Sequence, residues 1–129
     1  MAVRVLLLVL GFFHIANGVY MLAAPAAWYA AVPGVTLTGP FNQHFILDIG
    51  MAFVASGFGL AWGMRAGRSA AVIACAGAVW PALHALIHVE TWLMHGIAPG
   101  TMVSELVGVA GFALLGVVLA WLRMRGEPA

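Results

Sequence analysis

The sequence predicts an all-α integral membrane protein, a four-helix bundle with the N and C termini both on the cytoplasmic side. Three observations predict it: four apolar runs of membrane-spanning length, only 7% charged residues, and five arginines that all fall on one side of the resulting parse. Of the 129 residues, 64% are hydrophobic, and the mean hydropathy is +1.07. An ordinary soluble domain carries about a quarter charged residues. A water-soluble fold this short could not hide so much apolar surface, because small domains keep a large surface-to-volume ratio. Lipid is the solvent that makes the composition reasonable, and residues 1–129 read as a single transmembrane domain.

The apolar runs cover approximately residues 3–24, 41–64, 69–94 and 101–122. Each is near or above the roughly 20 residues that a helix needs to cross about 30 Å of hydrocarbon. Helix is required because each span must satisfy its own backbone hydrogen bonds in lipid. A β-barrel would need short alternating segments, which these continuous runs are not. Pro25, Pro33-Gly34 and Gly39-Pro40 mark the first connection, where Trp28 and Tyr29 suit a membrane–water interface. Gly67 marks the second connection, and Gly96, Pro99 and Gly100 the third.

Arg4 precedes the first span, Arg65 and Arg68 lie between the second and third, and Arg123 and Arg125 follow the fourth. The other two connections carry no Arg or Lys. Positively charged residues concentrate on the cytoplasmic side, which puts both termini there and predicts a multi-pass protein of the bacterial inner membrane. The alternative for the N-terminus is a secretory signal with Arg4, an apolar run and small residues near Ala23. His14 and Asn17 interrupt that run, so a retained first helix is expected. Five arginines without a basic run give no reason to expect nucleic acid as a partner, and the single Cys75 reads as a buried structural thiol.

Counting at 1.5 Å per helical residue from the arginines sets the depth of the ionisable groups. His84 and His88 lie ~24 and ~30 Å above Arg68, Asp48 and His44 ~26 and ~32 Å above Arg65, and Glu105 ~27 Å above Arg123. His14 lies only ~15 Å above Arg4, close to the midplane with Asn17. In the second span, His44, Asp48, Ala52, Ala55 and Gly59 share one stripe. In the third, Ala70, Ala74, Gly77, Pro81, His84, His88, Thr91 and His95 share another. Small residues let membrane helices approach closely, so both stripes are expected to face the bundle interior. Pro81 removes the helical partner of the Gly77 carbonyl and is expected to bend the third span below His84.

His44 with Asp48 and His84 with His88 are pairs spaced i,i+4, one turn apart on one helical face. That spacing lets two side chains hold one metal ion. Two facing pairs would supply three imidazoles and a carboxylate, a set suited to Zn, Cu or Fe rather than Mg or Ca. Glu105 and His14 are candidates for a further ligand or for holding a ligand's second nitrogen. The competing expectations are haem b held by His14 with His84 or His88, and polar groups that merely bond across helices. Glu90, off the histidine stripe, reads as water-facing. No Ser-His-Asp set, phosphate loop or C-x-x-C is present, which argues against a serine hydrolase, an NTPase or a thiol oxidoreductase.

The segment LDIGMAFVASGFGLAWGMRAGR resembles the DoxX-like group of small four-helix bacterial membrane proteins. The resemblance rests on Asp48, on Gly50, Gly57 and Gly59, on Arg65 and Arg68, and on Arg4 before the first apolar helix. It covers about the first three spans and implies an accessory subunit of a respiratory or quinone-linked complex. The residues themselves point to metal handling, or metal-assisted redox or hydrolytic chemistry, in the outer third of the bundle. The expected partners are the bilayer and either other membrane subunits or further copies of the chain.

Overall fold

A computed structural model describes residues 1–98 and 100–126, and every regular element among them is helical. The long helices are α1 (Ala2–Ala23), α3 (Gln43–Trp62), α4 (Arg68–His95) and a fourth span, Ser104–Arg125, which is π-helical over Ser104–Gly111 and becomes α5 over Phe112–Arg125. All four are long and apolar enough to cross a membrane, at 22, 20, 28 and 22 residues. The π-helical segment was not expected from the apolar pattern. A π-helix closes i→i+5 hydrogen bonds and occurs mostly as short insertions near functional sites.

The first connection also holds more structure than a loop. Pro25 opens a short helix α2 (Pro25–Ala31), and a 3₁₀ turn follows at Val35–Leu37. Proline suits the first turn of a helix because that N–H has no intrahelical partner. The six residues behind it, Ala-Ala-Trp-Tyr-Ala-Ala, are apolar throughout but far too few to span a bilayer.

Consecutive long helices pack side by side: α1 on α3, α3 on α4, α4 on α5, and α5 back on α1. Glycine sets two of these distances. A Cβ on Gly11 would stand 2.6 Å from the Gly57 carbonyl, and one on Gly59 2.8 Å from the Gly77 Cα. The α1–α3 and α3–α4 crossings are therefore backbone-to-backbone. At the arginine end the interior fills with Leu7, Leu10, Leu60, Ala74, Ala78, Leu119 and Ala120, all buried. A second apolar cluster, Met21, Trp28 and Ile46, lies between α1, α2 and α3 toward the other end.

Helix ends are finished by side chains. The Asn42 carboxamide accepts from the Phe45 N–H at 3.1 Å, an N-cap for α3 of the kind expected of Asn at that position. At the far end of α3, buried Arg123 reaches across from α5. Its Nε donates to the Gly63 carbonyl at 3.1 Å and a terminal nitrogen to the Arg65 carbonyl at 2.8 Å. A guanidinium there meets both the unpaired carbonyls and the negative end of the helix dipole.

Candidate functional site

Pro81 sits inside α4, and the Gly77 carbonyl finds its partner in another helix. The Ser56 hydroxyl of α3 donates to that carbonyl at 2.7 Å. Ser56 has one hydroxyl proton, so its oxygen can only accept from the His14 ring, whose Nδ1 is 3.2 Å away. His14 is therefore the Nδ1–H tautomer, and its Nε2 is left as an acceptor. One buried chain, His14–Ser56–Gly77, thus ties α1, α3 and α4 together.

Above this chain lies a cavity of about 70 Å³, lined by His14 and Asn17 of α1, Phe53 of α3, Trp80 and His84 of α4, and Phe112 of the fourth span. It has room for a few water molecules. His84 stacks on Trp80, centroids 5.0 Å apart and planes 13° from parallel, and meets the His88 ring edge-to-face at 4.8 Å. The ring contacts continue from Trp80 to Phe53 at 4.9 Å and from Phe53 to His14 at 5.5 Å. An unbroken run of rings therefore joins the three histidines.

Its upper end is a carboxylate. Glu105, in the first turn of the π-helical segment, accepts from the Trp92 indole at 3.0 Å, and the same oxygen lies 2.9 Å from His88 Nδ1. The contact is satisfied whether nitrogen or oxygen holds the proton, as Nδ1–H with a carboxylate or Nδ1 with a carboxylic acid. Both side chains are largely buried, at 21% and 14% exposure. The first connection folds over them. Trp28 donates to the Asn17 side chain at 3.0 Å, Tyr29 to the Gly39 carbonyl at 2.6 Å, and Gly34 comes so close that a Cβ there would be 2.9 Å from the other Glu105 oxygen. Gly34 also has φ +90°, a conformation that favours glycine.

The metal set expected from the sequence is not brought together. His44 and Asp48 do pair with each other at 3.5 Å, but on the surface, at 88% and 51% exposure. Among the described residues no three His, Cys, Asp or Glu side chains are grouped to hold a metal ion. The reason lies in the face that α3 buries. The helix carries two small-residue stripes, and the interior takes the one with Ile46, Gly50, Ser56, Gly57 and Leu60. Of the expected stripe, His44, Asp48 and Ala55 are exposed, Ala52 is half-buried, and only Gly59, where α3 crosses Gly77, packs against a neighbouring helix. On α4 the expected stripe does face inward: Ala70, Ala74, Gly77 and Pro81 are buried, His84 and His88 half-buried, and only Thr91 and His95 are exposed. Glu105 joins His88 as an orienting partner rather than completing a four-ligand set. His14 and His84 line the same cavity, but 70 Å³ is well short of the several hundred that an organic cofactor such as haem occupies.

Two contributors carry little sequence signal. Ser56 is a lone hydroxyl among Gly and Ala, and Trp92 reads as an interfacial anchor until Glu105 is seen beside it. Pro81 does carry a signal, since the Gly77 carbonyl it leaves without a helical donor requires another donor close by. Glu90 is exposed. Pro99 lies outside the described residues. The chain matches no family model, no curated protein and no solved structure.

Proposed function

We propose that the chain is a four-helix bundle of the bacterial inner membrane with both termini cytoplasmic, and that its histidine end is an acid–base site served from the periplasmic water. The topology rests on the five arginines. The function rests on one observation: Glu105, inside a membrane-length helix, is held by His88 and Trp92, and His88 leads through His84 to the cavity beside His14. Ionisable groups are costly inside a membrane and mark proton and ligand pathways. Packing alone is a weak reason for them, since a hydrogen bond between membrane helices contributes only about 0.6 kcal/mol on average.

The line ends blind. Below His14 the interior is filled by Leu7, Leu10, Leu60 and their neighbours. A proton taken up at Glu105–His88 meets the His84 ring edge and, beyond it, the cavity whose water can relay it, and among the described residues no hydrogen-bonded chain runs from there to the arginine end. This suits exchange of protons with a small molecule held in or over the cavity, rather than conduction through the membrane.

One observation favours a second reading, a transition-metal site (Zn, Cu or Fe). Glu105 holds Nδ1 of His88, which leaves its Nε2 as a possible ligand beside the His84 ring. The exposed His44–Asp48 pair and the DoxX-like resemblance support a role as an accessory subunit that meets its partner along α3.

The test uses the indole stacked on His84 as a reporter, because a protonated imidazole quenches a neighbouring tryptophan. In uniformly oriented proteoliposomes, stepping the external buffer from about pH 8 to about pH 5, where imidazole titrates, quenches the emission. Stepping the internal buffer does not. Equal response from both sides, or none, overturns the acid–base reading. Stoichiometric metal by elemental analysis, lost in His88→Ala, would establish the second.

A further inference from the structure

Between α3 and α4, on the surface away from α1 and α5, runs an open groove of about 670 Å³. Its walls include Ala52, Ala55, Phe58 and Trp62 from α3 and Ala76 and Trp80 from α4. The groove exists because Gly59 and Gly77 bring the two backbones together and leave no side chain to fill the valley beside them. Ser56 borders it too, but its hydroxyl is committed to the Gly77 carbonyl. Apart from the indole N–H groups of Trp62 and Trp80, the side chains on the walls are apolar. From residue 52 to residue 62 the groove follows α3 for ~15 Å, the depth of one leaflet of a ~30 Å hydrocarbon core.

The arginine end of the groove is charged. The Arg65 guanidinium lies over the Trp62 ring, 4.5 Å from its centroid, directly beyond the groove's last wall residue. Arg65 and Arg68 are both exposed there. The acids among the described residues, Asp48, Glu90 and Glu105, belong to the histidine end. A hydrocarbon channel one leaflet deep with a cation fixed at its mouth complements a molecule that has an anionic head and a long apolar tail.

We propose that this groove holds one acyl chain of an anionic phospholipid of the cytoplasmic leaflet, with the lipid phosphate against Arg65. The site rests on the proposed membrane topology and is separate from the acid–base line. Trp80 is the wall between them, since it borders both the groove and the histidine cavity. A tail seated in the groove packs against the outer side of the same indole that stacks on His84.

The experiment reconstitutes the full chain in vesicles of equal parts phosphatidylglycerol and phosphatidylcholine and transfers it to mild detergent. Native mass spectrometry then counts the retained lipid. The wild-type chain retains one phosphatidylglycerol in preference to phosphatidylcholine. Arg65→Gln lowers that preference about fivefold, roughly the worth of one basic residue at an anionic membrane surface. The double substitution Ala55→Leu with Ala76→Leu fills the groove and removes retention of both lipids, while an unchanged helical circular-dichroism spectrum and monodisperse elution show that the chain is still folded. Retention of phosphatidylglycerol that neither variant changes overturns the proposal. So does a wild-type dimer that the groove-filling variant converts to monomer, because the groove would then be a helix interface. Lipid retention reads the arginine end and quenching reads the histidine end, so either proposal can fail alone.

Discussion

The Ser56 hydroxyl supplies, at 2.7 Å, the hydrogen bond that Pro81 denies to the Gly77 carbonyl. One helix thus repairs a defect in its neighbour, and the repair fixes the tautomer of His14 on a third. Proline inside a membrane helix is tolerated when a neighbouring side chain satisfies the freed carbonyl in this way.

Ser56→Ala should therefore destabilise the protein by about 1–2 kcal/mol, since it leaves a buried carbonyl and a buried ring N–H without partners. In a Pro81→Ala background the Gly77 carbonyl regains its helical donor, and the cost of Ser56→Ala should shrink. Denaturant titration of the four forms measures the coupling directly. Equal costs in both backgrounds would show that the carbonyl is not what Ser56 serves.

Glu105→Gln separates stability from chemistry. The carboxamide oxygen, standing where one carboxylate oxygen meets both neighbours, still accepts from the Trp92 indole and from His88 Nδ1–H, so the melting temperature should hardly change. The external-pH quenching should shift or vanish, because the carboxyl group in contact with His88 is gone. Glu105→Leu should lose both, at a cost of about 1–3 kcal/mol for the unpaired groups.

Gly57→Leu should prevent α1 and α3 from packing, because its Cβ would stand 2.6 Å from the Gly11 carbonyl. Gly108→Ala should be silent, since nothing lies within 4 Å of a Cβ there. Yield of monodisperse protein in detergent distinguishes them, and comparable yields would contradict the crossing geometry.

Arg123→Ala removes the donors that finish α3 and should cost about 2 kcal/mol, typical of hydrogen bonds to a charged group. Arg123→Lys keeps the charge but cannot reach both the Gly63 and Arg65 carbonyls as a fork does. It should fall between wild type and alanine in thermal stability.

The topology has its own measurement. In a Cys75→Ser background, a membrane-impermeant thiol reagent applied to whole cells should label Thr38→Cys and leave Ala66→Cys untouched, both positions being exposed. The reverse pattern would invert the assignment of sides.

Much of the architecture was legible because bilayer physics leaves few choices. Length and apolarity located the four long helices to within a few residues, and α2 escaped notice only because seven apolar residues bounded by prolines read as a connection. The site was half legible. Histidines on α4 share their face with Ala70, Ala74 and Gly77, so one stripe reports both packing and chemistry. On α3 two stripes of small residues compete, and spacing alone cannot choose between them. The one bearing His44 and Asp48 lies open beside the Ala55 groove, while Gly57 and Ser56 face in. The approach of Glu105 to His88 was visible only as a shared depth.

The π-helical stretch at Ser104–Gly111 carries one consequence for how the fourth span works. It separates the span into a lower part anchored through Arg123 and an upper part that aims Glu105. Deleting a single residue from the stretch would let it close as an ordinary α-helix and turn everything above the deletion by about 100° relative to α5. Glu105 would leave the histidine face while the arginine end stayed in register. The fourth span is thus a pointer on a fixed spindle, and the extra residue in its winding sets the bearing.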